Sequence, residues 1–207
     1  FVNKFTNGSA NLKMLRGNII NQMFDELILN QNCNHEHSFE NAILNKPLQT
    51  IAACSNILNL KSLHSEIKPV FEKLKHTVLK LNFHKTYIEP TFISPIYGLS
   101  GRLDLLGEYR NELHTIELKS GTAPTSNLIF VDYDKTYNIK VWKNNIVQAV
   151  AYLMLLETIY PNKKTFASIL YASASDDPLR NVPNVLLTKQ QIIRCRNGIV
   201  ILLKNLT

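Results

Sequence analysis

No stretch of this chain approaches the roughly 20 apolar residues that a membrane span needs. Its start, Phe1-Val2-Asn3-Lys4-Phe5, lacks both the long apolar core of a secretion signal and an initiating Met, so the chain is expected to be a fragment of a larger protein. Cysteine is scarce as well. Cys33, Cys54 and Cys195 are irregularly spaced and form neither a disulfide framework nor a CxxC metal site. Reduced, mostly buried thiols are the default, which points to an intracellular protein, cytoplasmic or nucleoid-associated, or nuclear in a eukaryote. There is no internal repeat and no low-complexity tract. None of the six histidines (His35, His37, His64, His76, His84, His114) shows ligand spacing, and solvated or core roles are expected for each.

What is present is ordinary globular composition: 207 residues, 45% hydrophobic and 19% charged, enough for one well-buried domain. A single domain over 1–207 is expected, with a helical part over about 1–83. Lys and Arg number 23 against 16 Asp and Glu, a formal charge of +7. That balance suits a polyanionic partner, because Lys and Arg neutralise phosphates and release counterions. It also serves solubility alone.

Along the chain, Gly17 to about Asn30 carries apolar residues at helical spacing: Ile19, Ile20, Met23, Phe24, Leu27 and Ile28. Phe39 to Leu60 reads as one or two short helices broken near Pro47. Ser65 to Leu81 reads as an amphipathic helix with Pro69 near its first turn. Lys85–Ile93, Tyr97–Tyr109 and Leu113–Ser120 then read as a three-strand meander. Gly121 to Asn138 is loop-like, with a short strand suggested at Leu128 to Asp132, and a loop of that length usually carries function. Ile139 to Tyr160 is a long helix ended before Pro161. Phe166–Ala172 and Val182–Leu187 return to strand, and Thr188 with Gln191 fits a capping box opening a last helix to about Leu203. The fold class is α/β or α+β with a mixed central sheet.

Chemistry concentrates in two strand-like segments, Gly101-Arg102-Leu103-Asp104-Leu105-Leu106 and Ile116-Glu117-Leu118-Lys119-Ser120-Gly121. If Arg110 and Asn111 form the tip between them, Asp104 falls opposite Glu117, with Cβ atoms roughly 4.5–5.5 Å apart. Alternation places Lys119 on the face of Glu117, a face expected to be open to solvent, and turns Leu103, Leu105, Ile116 and Leu118 to the core. Two opposed carboxylates repel and weaken a sheet unless a divalent cation lies between them. Hard oxygen ligands of this kind suit Mg²⁺ or Mn²⁺. Lys119 is then placed to polarise water or to stabilise charge on a phosphate. Gly101 and Gly121 would let a phosphate backbone approach closely. Glu-x-Lys alone is common on strand exteriors; the opposed Asp and the apolar far face are what single this hairpin out. In the following helix Gln148 and Tyr152 share a face, and Gln148 either meets a local hydrogen-bond need or reaches into the site. Asp176-Asp177 before Pro178 reads as a turn.

Asp104, then Glu117-Leu118-Lys119, then Gln148-x-x-x-Tyr152 resembles motifs II, III and the helix motif of RecB-type PD-(D/E)XK nucleases. The likeness is nearest to the nuclease domain of the replication helicase-nucleases that trim Okazaki flaps. Phe92 to Asp104 is similar to the segment leading into the metal-binding Asp of that family. Ile169-Leu170-Tyr171 and Arg196-Asn197 resemble its later strand and terminal helix, and Met14 to Asn21 its first helix. The resemblance implies a restriction-endonuclease-like core and hydrolysis of phosphodiester bonds in single-stranded or flap DNA, in replication, repair or recombination, with a helicase domain as partner. It implies that Asp104, Glu117 and the Leu118 carbonyl hold Mg²⁺ or Mn²⁺, that Lys119 is catalytic, and that Gln148 and Tyr152 support the site. The family commonly has His where this chain has Asn21, which leaves one ligand weakened or missing; Asp25, one turn on, either substitutes or is simply solvated. Many relatives hold an iron–sulfur cluster with one Cys before the first helix and three after the last. Cys33, Cys54 and Cys195 do not fall there, so a cluster belongs only to a longer parent. Two other readings stand beside the DNA nuclease: a restriction-like or RNA-cleaving enzyme of the same superfamily, and a nucleic-acid-binding domain that has lost turnover.

Overall fold

The computed structural model describes residues 8–53, 57–132, 135–185, 188–195 and 197. Cys54, Arg196, the chain start and the far end of the expected last helix lie outside the described residues. Two compact units emerge. One contains the helical stretch up to Asn82 together with Lys119–Thr122 and Tyr171–Pro178; the other contains Phe83–Leu118, Ala123–Leu170 and the chain from Leu179. Among the described residues no helix is long and apolar enough to cross a membrane.

The helical unit is built from α1 (Gly8–Leu29), α2 (His35–Leu44), α3 (Pro47–Ala53) and α4 (Ile57–Lys80). On α1 the predicted stripe is buried at Ile19, Ile20, Met23, Phe24 and Leu27, and Leu15 extends it, so the helix begins earlier than Gly17. Asn34 caps α2 by accepting the His37 amide at 2.8 Å, which satisfies one of the orphan donors of the first turn. Pro69 lies in the middle of α4 rather than in its first turn. A mid-helix Pro costs about 3 kcal/mol. Leu63, Ile67, Val70, Phe71, Leu74 and Val78, buried on both sides of it, each contribute roughly 1.5–3 kcal/mol and outweigh that cost.

The second unit holds a five-stranded mixed sheet in the order β1 (Lys85–Ile88), β4 (Leu105–Tyr109), β5 (Glu112–Lys119), β8 (Lys164–Tyr171), β9 (Leu179–Val182). Neighbours pair antiparallel except at β5 and β8. There Lys164 N–H reaches Asn111 O and Ala172 N–H reaches Lys119 O, a constant offset along both strands that identifies parallel pairing. The predicted meander is thus interrupted. Glu89 adopts a left-handed φ of 49° and Pro90 has no N–H, so the chain leaves the sheet there. It forms a separate hairpin, β2 (Thr91–Ser94) with β3 (Leu99–Arg102), and returns at Asp104. Two bonds pinch the base of that excursion: Glu89 N–H to Asp104 O and Leu103 N–H to Pro90 O, each 3.0 Å.

The expected long loop after β5 is shorter than the sequence suggests, because β6 (Leu128–Asp132) and β7 (Lys135–Ile139) form a hairpin of their own. Ile139 therefore ends a strand, and the long helix α5 runs Lys143–Ile159. It is apolar on most sides, as a buried helix must be. Tyr152, Leu155 and Leu156 pack with Leu103, Leu106 and Leu113. The late strand is Leu179–Val182; residues 183–185 carry no regular structure, and 186–187 of the expected strand lie outside the described residues. Residues 188–195 are helical, but Lys189 N–H bonds Val185 O, so Thr188 lies inside the turn and is not the expected cap.

Candidate functional site

The β4–β5 hairpin turns at Arg110 and Asn111, with Arg110 left-handed at φ 53°. Leu105 pairs with Ile116 and Tyr109 with Glu112, the register that the two-residue tip predicts. One step further, the ladder opens at Asp104. Its carboxylate turns instead onto β5, where Oδ2 accepts the Leu118 N–H at 2.7 Å. A backbone amide donating to a charged oxygen is a strong, directional bond, and it fixes the Asp104 rotamer.

Glu117 is 7% exposed, and the whole middle of β5 is buried on both faces. This corrects the expectation of a face open to solvent: β5 lies between β4 and β8, and α5 supplies a polar cover. Gln148 Nε2 donates to Glu117 Oε1 at 2.7 Å, and the same amide donates to Tyr152 Oη at 2.8 Å. Tyr152 Oη in turn donates a hydrogen bond to Arg102 O at 3.0 Å. Arg102 is the last residue of β3, so the relay ties Glu117 to the strand that leads into Asp104. Gln148 therefore reaches Glu117 rather than meeting a merely local need. Burial pushes the Tyr152 hydroxyl above the usual tyrosine range, and the negative charges of Glu117 and Asp104 add to the rise. Both effects favour the protonated hydroxyl, the form that donates to Arg102 O.

Gly101 has a different reason from the one expected. A Cβ there would lie 2.9 Å from Tyr152 Cε1 and 3.1 Å from Leu155 Cδ1, so the glycine makes room for the Tyr152 ring. At Gly121 a Cβ would meet nothing within 4 Å.

Asp104, Glu117, Leu118, Gln148 and Tyr152 are thus brought together in the sheet unit. Lys119 closes β5, immediately after Leu118. Asn21 is exposed and Asp25 half-buried on α1, in the helical unit. Sequence reasoning missed Arg16. Within the helical unit its guanidinium donates to Glu66 Oε1 (2.7 Å), Ser120 O (2.8 Å) and Ser173 Oγ (2.8 Å), and Ser173 also bonds Ser120 O (2.9 Å). Arg16 so clamps the residue that follows Lys119; a lone Arg on an amphipathic helix carries no sequence signal for that task.

No protein-family model matches the chain, and no curated protein does. Among solved structures it resembles the crystal structure of a candidate exonuclease from Eubacterium rectale, at 13% sequence identity and a TM-score of 0.39. The match covers 79% of this chain and spans 64% of the length of the other. A likeness this loose carries no conclusion about the activity of this chain.

Proposed function

We propose that this chain is a metal-dependent nuclease, hydrolysing phosphodiester bonds in single-stranded or flap DNA. The observation that carries the reading is the paired anchoring of two carboxylates at the open end of the β4–β5 ladder. Asp104 is held by the Leu118 amide and Glu117 by Gln148, each at 2.7 Å. The last ladder pair is Leu105 with Ile116, so both carboxylates stand just past it, and like charges held near each other there are unfavourable unless a cation offsets them.

The donor set fits a hard divalent cation. Asp104, Glu117 and the Leu118 carbonyl are all oxygen donors, which suits Mg²⁺ or Mn²⁺ over softer ions. Such an ion, when bound, supplies positive charge for the scissile phosphate and makes water a better nucleophile near neutral pH. The chain's own groups do the rest. Gln148 and Tyr152 keep Glu117 in one rotamer, so no reorganisation is needed when substrate arrives. Lys119, two residues beyond Glu117 on the same strand, stabilises negative charge on the phosphate. The net charge of +7 favours association with a polyanion.

Cleavage of labelled single-stranded DNA tests this directly. Activity should require Mg²⁺ or Mn²⁺ and vanish with EDTA. Asp104→Ala and Lys119→Ala should each lose at least about a hundredfold in rate while circular dichroism stays unchanged. Metal-dependent DNA binding without turnover in the parent protein would instead favour the binding-domain reading. Cleavage of RNA alone would favour a different nuclease chemistry on the same residues.

A further inference from the structure

The helical unit contains a second group of potential ligands, separate in chemistry from the carboxylate pair. His35 is the first residue of α2, Glu36 follows it, and His64 projects from α4. The packing of α2 against α4 brings one ligand atom of each to within 4.8 Å of the others. We propose that His35, His64 and Glu36 form a site for a d-block divalent cation of the Zn²⁺ type.

His35 is the decisive residue. It is 2% exposed, and neither of its ring nitrogens has a hydrogen-bond partner. An imidazole always carries at least one N–H, and the neutral ring also offers a lone pair. Polar atoms sealed from water are nearly always paired, so a ring with both nitrogens orphaned calls for an explanation. The nearby carboxylate, Glu36, stands 3.8 Å from Nδ1 and so does not close a hydrogen bond. Coordination uses the lone pair on one nitrogen, and neutral imidazole is a preferred donor for Zn²⁺.

The surroundings favour the same reading. Phe39 and Phe71 pack on the His35 ring with centroids at 5.9 and 5.6 Å, which fixes its plane. The His64 ring lies 4.5 Å away but is tilted by 56°, so the two imidazoles converge rather than stack. Glu36 Oε1 is 3.8 Å from His35 Nδ1. Lys68 Nζ stands 3.5 Å from the same oxygen and would have to release it. A cavity of about 690 Å³ reaches two of the three ligands, being lined by Glu36, Phe39, Leu60 and His64 among others, while His35 lies behind them. A tetrahedral ion with bonds of about 2.0–2.1 Å needs its ligand atoms roughly 3.3–3.5 Å apart. Half-buried His64 and exposed Glu36 can close the difference by rotamer adjustment. Two nitrogens and one oxygen select against Mg²⁺, and leave the fourth position to water.

The test uses the whole chain, stripped with EDTA and titrated with Co²⁺ as a spectroscopic probe. One equivalent should give the strong visible d–d bands of a tetrahedral site, and Zn²⁺ should displace it. His64→Ala and Glu36→Gln should each weaken binding by at least about tenfold, whereas Asp104→Ala should leave the bands in place. That last arm separates this site from the proposed nuclease centre. Bands that persist unchanged in His64→Ala, or that never form in the parent, overturn the proposal. Should His64→Ala unfold, Glu36→Gln decides alone, since Glu36 is exposed and its loss cannot disturb the core.

Discussion

Gln148 Nε2 lies 2.7 Å from Glu117 Oε1 and 2.8 Å from Tyr152 Oη, so a single amide sets the direction of a buried carboxylate. On the proposed function Gln148 positions Glu117 and does not itself hold the metal. Gln148→Ala should therefore raise the Mg²⁺ concentration for half-maximal cleavage by about 10–100-fold, the usual cost of removing a group that orients a ligand. At saturating metal most of the rate should return. A rate that stays low at any Mg²⁺ concentration would place Gln148 in contact with substrate instead.

Gly101 and Gly121 should behave differently under the same substitution. Gly101→Ala forces the Tyr152 ring aside and should cost about 1–3 kcal/mol of stability, as overpacking does. Gly121→Ala meets open space and should stay within about 0.5 kcal/mol of the parent. Thermal unfolding of the two variants checks both. Equal effects would mean that the Tyr152 contact is not what selects glycine at position 101.

Acid should weaken the sheet unit through Glu108. The hydrogen bond from Lys163, at 2.9 Å, is the largest cause holding this carboxyl below the usual glutamate range, and the Tyr87 hydroxyl adds to it. A depressed native value means that the contribution is present above the ordinary glutamate value. It is lost as pH falls through the lowered one. Glu108→Gln should flatten the decline of the unfolding midpoint in that acid window and leave it unchanged in shape at neutral pH. A decline of unaltered steepness would assign the acid sensitivity elsewhere.

The central register was legible because it needs only short-range arithmetic: a two-residue tip at Arg110 and Asn111, and alternation on either side. The stripe on α1 was legible for the same reason. What the sequence hid depends on residues far apart. Gln148 and Glu117 are separated by 31 positions, and Tyr152 and Arg102 by 50. Nothing local predicts such partners. The β2–β3 excursion was missed although Pro90 marks it, because Thr91 to Ser94 continues the β pattern of Lys85 to Ile88. The β6–β7 hairpin escaped notice because β7 is largely exposed and carries no apolar alternation. His35 and His64 looked unrelated since only helix packing brings them together.

The two-residue tip also has a consequence for the order of assembly. Hairpins close in about 1–10 μs, whereas a parallel pair must wait for its crossover to form. The β4–β5 ladder, which ends at the Leu105–Ile116 pair next to Asp104 and Glu117, is such a hairpin, while β8 joins β5 only after β6, β7 and α5 have intervened. On the proposed function the two carboxylates come near each other before Gln148 can restrain Glu117, and a cation between them would favour that early step. A divalent cation in the refolding buffer should accordingly raise the folding rate measured by stopped flow, and Asp104→Asn should make that rate indifferent to the ion. The ion would then be a participant in the chain's folding history before it ever met a phosphate.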